Sequence, residues 1–227
     1  MIAIHQPNYI PYMGYFYKVW KADEFVYLDD CQFSSSAWHN YNRVLNLGQE
    51  TKLKVPVRYS FGDSIETVKI DESTDWRSRH LELLHEAYHG AEHYREIAAW
   101  FEWVLTPHYD SIASMNIAIN TEVCRGFGFD TRFYKASDLK IETKKQQRLI
   151  DICNSMRERS YLSGTGAKEY IDPAGFEAAG IELVYTDYEP IAYRQHGQRG
   201  FTPNMSILDY LFNCGFNWPY QAGGVSE

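Results

Sequence analysis

Residues 2–42 read IAIHQPNYIPYMGYFYKVWKADEFVYLDDCQFSSSAWHNYN, and this stretch decides the fold. Ile2-Ala3-Ile4 has the length and β-branched content of a buried strand. It runs into His5-Gln6-Pro7-Asn8, a polar segment stiffened by Pro7 and again by Pro11. Met13 to Trp20 reads as a helix with aromatics on most faces, and Phe25 to Leu28 as a second buried strand that stops at Asp29-Asp30. Polar side chains crowded at the ends of two buried strands mark the edge where open α/β sheets hold ligands. The segment from His5 to Asn42 therefore predicts the floor and lip of an active site.

Working outward, Lys52 to Val57 and Ile65 to Ile70 alternate well enough for strands, with Phe61-Gly62-Asp63 as the turn between them. Thr74 or Asp75 caps a predicted helix from about Trp76 to His89. Two more helices are predicted over Glu92 to Leu105 and Asp110 to Arg125, whose apolar residues fall at helical spacing and read as core. Further on, Phe133 to Ala136 reads as a strand and Lys144 to Met156 as a helix. Tyr161-Leu-Ser-Gly-Thr-Gly-Ala-Lys168 reads as a short strand running into a glycine turn. A short helix then begins at Asp172 or Pro173, Ile181 to Tyr185 reads as a strand, and Phe201 to Asn213 as a capped amphipathic helix ended by Gly215. This alternation predicts one α/β domain over residues 1–227, with a Rossmann-like sheet and a helical subdomain at about 75–128.

The 227 residues suffice for a sizeable core. A net charge of -8 and a pI near 5.5 argue against wholesale binding of duplex nucleic acid, though not against a local basic pocket. The 18 Tyr fit a sugar or nucleotide cleft, where a ring stacks and a hydroxyl bonds, and fit a Tyr-rich core equally well. Cys31, Cys124, Cys153 and Cys214 lie far apart, as reduced thiols of a cytoplasmic protein would. No apolar run approaches the roughly 20 residues needed to span a bilayer, and the first residues do not read as a signal peptide.

Three patterns could carry chemistry. His5 follows a strand and could serve as general acid or base, or hold an anion. Lys18 could reach back to that anion, and Asp29-Asp30 could hold Mg²⁺ or orient an amine. Ser163-Gly164-Thr165-Gly166-Ala167-Lys168 suits a phosphate, since glycine turns aim N–H groups at anions, but its spacing is not that of a nucleotide-binding P-loop. His85-Glu86-Ala87-Tyr88-His89 matches the H-E-x-x-H zinc pattern. The continuation is missing, with Glu92 and Arg95 where Gly and His would stand, so no metal centre is expected.

His5-Gln-Pro-Asn-Tyr-Ile-Pro-Tyr-Met-Gly-Tyr-Phe-Tyr-Lys18, with Ala22-Asp23 and Leu28-Asp-Asp-Cys-Gln-Phe33, resembles the opening signature of the WbqC-like family. The resemblance runs on through Trp38, Asn40, Asn42, Trp76, Arg148, Tyr161 to Gly164, Lys168 and Tyr170, and closes over Phe201 to Gly215. It implies surface-polysaccharide (O-antigen, lipopolysaccharide) biosynthesis and an N-aminoacyl, specifically glycyl, transferase acting on a nucleotide-linked amino sugar. The acyl donor it leaves open: an adenylate made in place from ATP and Mg²⁺, an aminoacyl-tRNA or a carrier. On this reading His5, Lys18 and Asp30 are catalytic. Gln6, Asn8, Tyr9, Gly14, Tyr15, Gln32, Asn40, Asn42, Ser163, Gly164, Gly166, Lys168 and Tyr170 bind substrate. Basic residues are common in the family where this chain has Ser35, Ser36 and Tyr41, which weakens any anion site in that loop. The opening also resembles nucleotidylyltransferase-like folds, with Tyr15 where their second histidine would stand. Two other readings are a non-catalytic nucleotide or sugar binder in a biosynthetic complex, and a zinc hydrolase built on His85-Glu86-x-x-His89.

Overall fold

The apolar runs of the opening stretch do become the centre of a sheet. A computed structural model describes residues 1–169 and 171–220. Strand β1 (Ile2–His5) leads through a long loop into α1 (Met13–Trp20) and β2 (Glu24–Tyr27). A hairpin of β3 (Tyr41–Asn46) and β4 (Gln49–Lys54) follows, then the short pair β5 (Val57–Arg58) and β6 (Lys69–Ile70). Next come α2 (Trp76–Tyr88), α3 (Tyr94–Leu105) and α4 (Ile112–Gly126), all within residues 75–128. The chain returns to the sheet with β7 (Arg132–Lys135), α5 (Ala136–Leu139), α6 (Lys145–Ser155) and β8 (Ser160–Ser163). A 3-10 turn (Thr165–Glu169), α7 (Pro173–Ala178), β9 (Glu182–Tyr185) and α8 (Ile207–Cys214) complete it.

The main sheet is parallel throughout, in the order β7-β2-β1-β8-β9. Numbered along the sheet's own strands, that is the 3-2-1-4-5 order of Rossmann-like folds. Alternation sorts the strand residues between two apolar clusters: Ala3, Phe25 and Tyr27 in one, Ile2, Ile4 and Val26 in the other. Residues of α1, α2, α3, α4 and α8 join the first, and residues of α5, α6 and α7 the second. The chain builds the sheet to one side of β1, then crosses to the other side for β8. The C-terminal ends of β1 and β8 thus flank a topological switch point, where a crevice forms because neighbouring connections depart in opposite directions.

Three expected elements differ. Within Lys52 to Val57, Lys52 to Lys54 pair backwards with Tyr41 to Arg43, and only Val57 pairs forwards across Phe61-Gly62-Asp63, with Ile70. The hairpin turns at Leu47-Gly48, with φ of 47° and 86°, a geometry usually served by Asn-Gly, so leucine there concealed it. Only Lys69–Ile70 of the expected strand at 65–70 is extended in a ladder, paired with Val57–Arg58. Finally, α8 starts at Ile207, not Phe201, because Pro203 and Asn204 (φ 60°) turn the chain and Ser206 supplies the cap.

Candidate functional site

The switch point opens into a cavity of about 280 Å³. β1 contributes Ile4 and His5, α1 contributes Gly14, Tyr15 and Lys18, and the turn after β8 contributes Ser163 to Ala167. Tyr12, Thr186 and Tyr188 complete much of the wall. No carboxylate lines it, and Lys18 is its one formally cationic side chain among the described residues. In a chain of net charge -8, that is a local environment suited to an anion.

His5 is half-buried, and its Nδ1 lies 3.1 Å from the Gln6 carbonyl. A carbonyl can only accept, so Nδ1 carries the proton and Nε2 keeps its lone pair, without a partner among the described residues. Tyr15 donates to the same carbonyl at 3.1 Å and packs edge-on against the imidazole, 4.9 Å between centroids. Burial, seconded by the Lys18 charge, pushes the His5 pKa down to about 3, so the ring is neutral through the physiological range.

Lys18 is 4% exposed and donates to the Ile4 carbonyl at 3.2 Å. Burial pulls its pKa down to about 7. The unfolded chain thus holds a proton on Lys18 that the folded chain sheds between about pH 7 and the ordinary 10.5, so this group makes stability rise with pH across that window. An anion entering the cavity would restore the charge. At pH 8, titration of the protein with UDP is expected to take up close to one proton per site in wild type, and about none in Lys18→Met. Calorimetry in buffers of differing ionisation enthalpy measures this, and equal uptake by both proteins would discard the assignment.

The loop between β1 and α1 is held by its carbonyls. Asn116 of α4 donates to Pro7 and His39, at 2.8 and 2.7 Å, and Asn120 donates to Asn8 at 2.9 Å. Asn42 donates to Tyr9 and Ile10, and Ser206 also donates to Ile10. Ile10 sits at φ 36°, a region costly for a β-branched residue, and these two donors fix it there.

Placement therefore separates the expected site residues. His5, Gly14, Tyr15, Lys18, Ser163, Gly164 and Gly166 meet at one cavity. Asn8 and Asn42 line an adjacent one. Lys168 lines neither: it is exposed, with Nζ 4.9 Å from the Tyr185 ring centroid. Asp30 does not reach the cavity either, because its carboxylate is tied to Arg148 of α6. Asp29 accepts from the Ser137 backbone and hydroxyl at the start of α5. Tyr9 is fully buried, and Asn40 is spent on the Val55 carbonyl. Gln32 is exposed, bridged to Ser64. Gln6 lies behind His5, its Oε1 accepting from Nε2 of His39, whose Nδ1 accepts from the Ser34 N–H. Tyr170 lies outside the described residues. His85 is bonded to the Tyr94 hydroxyl and His89 to the His85 carbonyl, and no group of three or more metal-ligating side chains gathers among the described residues.

The sequence profile of the WbqC-like protein family matches residues 6–219. The chain belongs to the WbqC-like family. A Mycobacterium tuberculosis protein, named only as the uncharacterized protein Rv1507c, is 34% identical over 223 residues, covering 96% of this chain and 95% of that one. No solved structure matches the WbqC-like chain. No helix among its described residues is long and apolar enough to cross a membrane.

Sequence reading of this WbqC-like chain missed Asn116 and Asn120. Their signal was two amides one turn apart inside an otherwise apolar helix stripe, where a buried amide must find a partner. It also passed over Tyr12 and Tyr188. The glycines of the 163–168 turn gain a sharper role: a Cβ on Gly164 or Gly166 would meet nothing within 4 Å, and neither has positive φ. Packing does not require glycine there. Gly164→Ala and Gly166→Ala are expected to leave thermal stability unchanged or raise it by up to about 1 kcal/mol. Gly164→Val, which fills more of the open space, is expected to weaken UDP binding by about tenfold or more. Thermal melts with calorimetric titration check both, and unimpaired binding by the valine variant would remove the turn from the site.

Proposed function

We propose that this protein transfers an aminoacyl group, specifically glycyl, to the amino group of a nucleotide-linked amino sugar, the substrate phosphates lying in the switch-point cavity. Membership of the WbqC-like family points to polysaccharide biosynthesis. The observation that carries the chemical reading is the cavity where His5, Lys18 and the Ser163–Gly166 turn meet, with no carboxylate from the described residues in its wall. Backbone N–H groups of such a turn and a lysine that regains its charge suit a diphosphate.

Amide formation needs an unprotonated amine and an activated acyl group, whether ester, thioester or acyl phosphate. The amine nitrogen attacks the acyl carbon and a C–N bond forms. The bond to the leaving group breaks, and that group departs with the electron pair. The amine proton is lost, and the Nε2 lone pair of His5, which lines the same cavity, is the acceptor assigned to it. If the donor is an adenylate made in place, ATP and Mg²⁺ are co-substrates. Incubating the protein with UDP-linked amino sugars and each donor class in turn, then weighing the nucleotide sugar by mass spectrometry, tests the reading. Gain of one glycyl residue supports it, and no product with any donor overturns it.

The depressed basicity of His5 favours a second reading, in which the site binds a nucleotide sugar without turning it over. Tight binding with no product, and a His5→Ala variant altered only in affinity, would select that one.

A further inference from the structure

His5, Tyr12 and Tyr188 line a second cavity as well as the first. The second, about 550 Å³, adjoins the first but differs in chemistry. Tyr12 and Tyr188 pack edge to face, 5.9 Å between centroids, and form the partition. A Cβ on Gly14 would overlap both rings, so the missing side chain is what lets them stand there.

Beyond the partition, Trp38 presents an exposed ring, and Asn8 an amide that makes no hydrogen bond among the described residues although the residue is only 9% exposed. The Asn8 backbone carbonyl is already taken by Asn120, so its side chain is the group left over. Among the described residues, Arg43 is the second cavity's one formally cationic side chain, and no carboxylate lines the cavity. Its guanidinium lies 5.1 Å from the Trp38 ring and is paired with Glu50 at 2.5 Å. Aromatic faces, an unpaired neutral amide and a compensated charge suit a neutral sugar ring, whose C–H face stacks while its hydroxyls bond the amide. A second phosphate would want an uncompensated cation.

We propose that this second cavity is the saccharide subsite, with a pyranose ring stacked on Trp38 and hydroxyl groups on Asn8. Ring substituents then reach Nε2 of His5 at the junction, while the phosphates lie on the other side of the tyrosine partition. This rests on the reading of the first cavity as the phosphate site, and adds where the sugar lies and which residues select it.

Calorimetric titration of wild type, Trp38→Ala, Trp38→Phe and Asn8→Ala with UDP, UDP-glucosamine and methyl glucosaminide tests it. Trp38→Ala and Asn8→Ala are expected to bind UDP like wild type and UDP-glucosamine about tenfold more weakly, and Trp38→Phe to recover most of the loss. Equal losses for UDP, or no loss for UDP-glucosamine, overturn the proposal. Glucosaminide binding that Trp38→Ala abolishes, in a protein that does not bind UDP, would sink the phosphate reading and keep the saccharide subsite. A wild-type protein that binds none of the three probes overturns both.

Discussion

His5→Ala is expected to lower turnover by about a hundredfold or more while the protein stays folded, in line with the loss of a positioned proton acceptor. The fold should tolerate the change, because the Gln6 carbonyl that receives Nδ1–H also receives the Tyr15 hydroxyl. The stability cost should be that of one exchanged hydrogen bond, about 1 kcal/mol. His5→Gln separates two roles, since its amide oxygen can stand near the Nε2 position and accept a hydrogen bond but is far too weak a base to take a proton. Affinity for UDP-glucosamine should recover in that variant and turnover should not. With a pKa of about 3, His5 should impose no limb on the pH–rate profile between pH 5 and 8. Steady-state kinetics with a matched melting curve decides it, and a His5→Ala enzyme of near-normal turnover would remove the imidazole from the reaction.

The largest stability effect should fall far from β1. Asp209 of α8 is fully buried and accepts from Tyr88 at 2.7 Å, Tyr193 at 2.6 Å and Gln195 at 2.8 Å. One carboxylate thereby joins α2, α8 and the segment that follows β9. Burial raises its pKa above the ordinary 3.8, and the donors pull it partway back. The sign follows: the folded state holds this proton more tightly, so the group costs stability as pH rises from the ordinary value through the raised one, with no further change above. Asp209→Ala leaves two buried donors and the half-buried Tyr193 hydroxyl without an acceptor, at about 1–3 kcal/mol each before relaxation, so a loss of about 3–5 kcal/mol is expected. Asp209→Asn keeps the shape and one acceptor oxygen but sets its NH₂ among donors, and should lose about half as much. Urea unfolding at pH 7 measures both, and a shift under about 1 kcal/mol for the alanine variant would mean the network is not what holds these elements together.

Much of this was legible because it is local. Ile2-Ala3-Ile4, Phe25 to Leu28 and the helix between them carry their own period, so the β1-α1-β2 unit and its ligand-bearing edge followed from short-range pattern alone. The glycine turn after β8 was legible as a turn, and its meeting with His5 follows from strand order, which no local pattern encodes. What escaped the sequence reading depended on distant partners or rare backbone. Asp30 looked free until Arg148, 118 residues away, was found against it. Lys168 seemed part of the anion turn because it is adjacent in sequence, yet the 3-10 twist turns it out toward Tyr185. Leu47 hid a hairpin because a branched residue rarely takes positive φ. Asn40 and Asn42 read as ligand amides, where the donors they present go to Val55, Tyr9 and Ile10.

Those asparagine and serine donors set the kinetics of encounter. The carbonyls of residues 7 to 10 are all engaged before anything enters the cavities, so the wall needs no rearrangement to receive a guest. Stopped-flow traces with UDP-glucosamine should then be single exponentials whose rate climbs linearly with concentration, without the plateau that a slow reshaping step would impose.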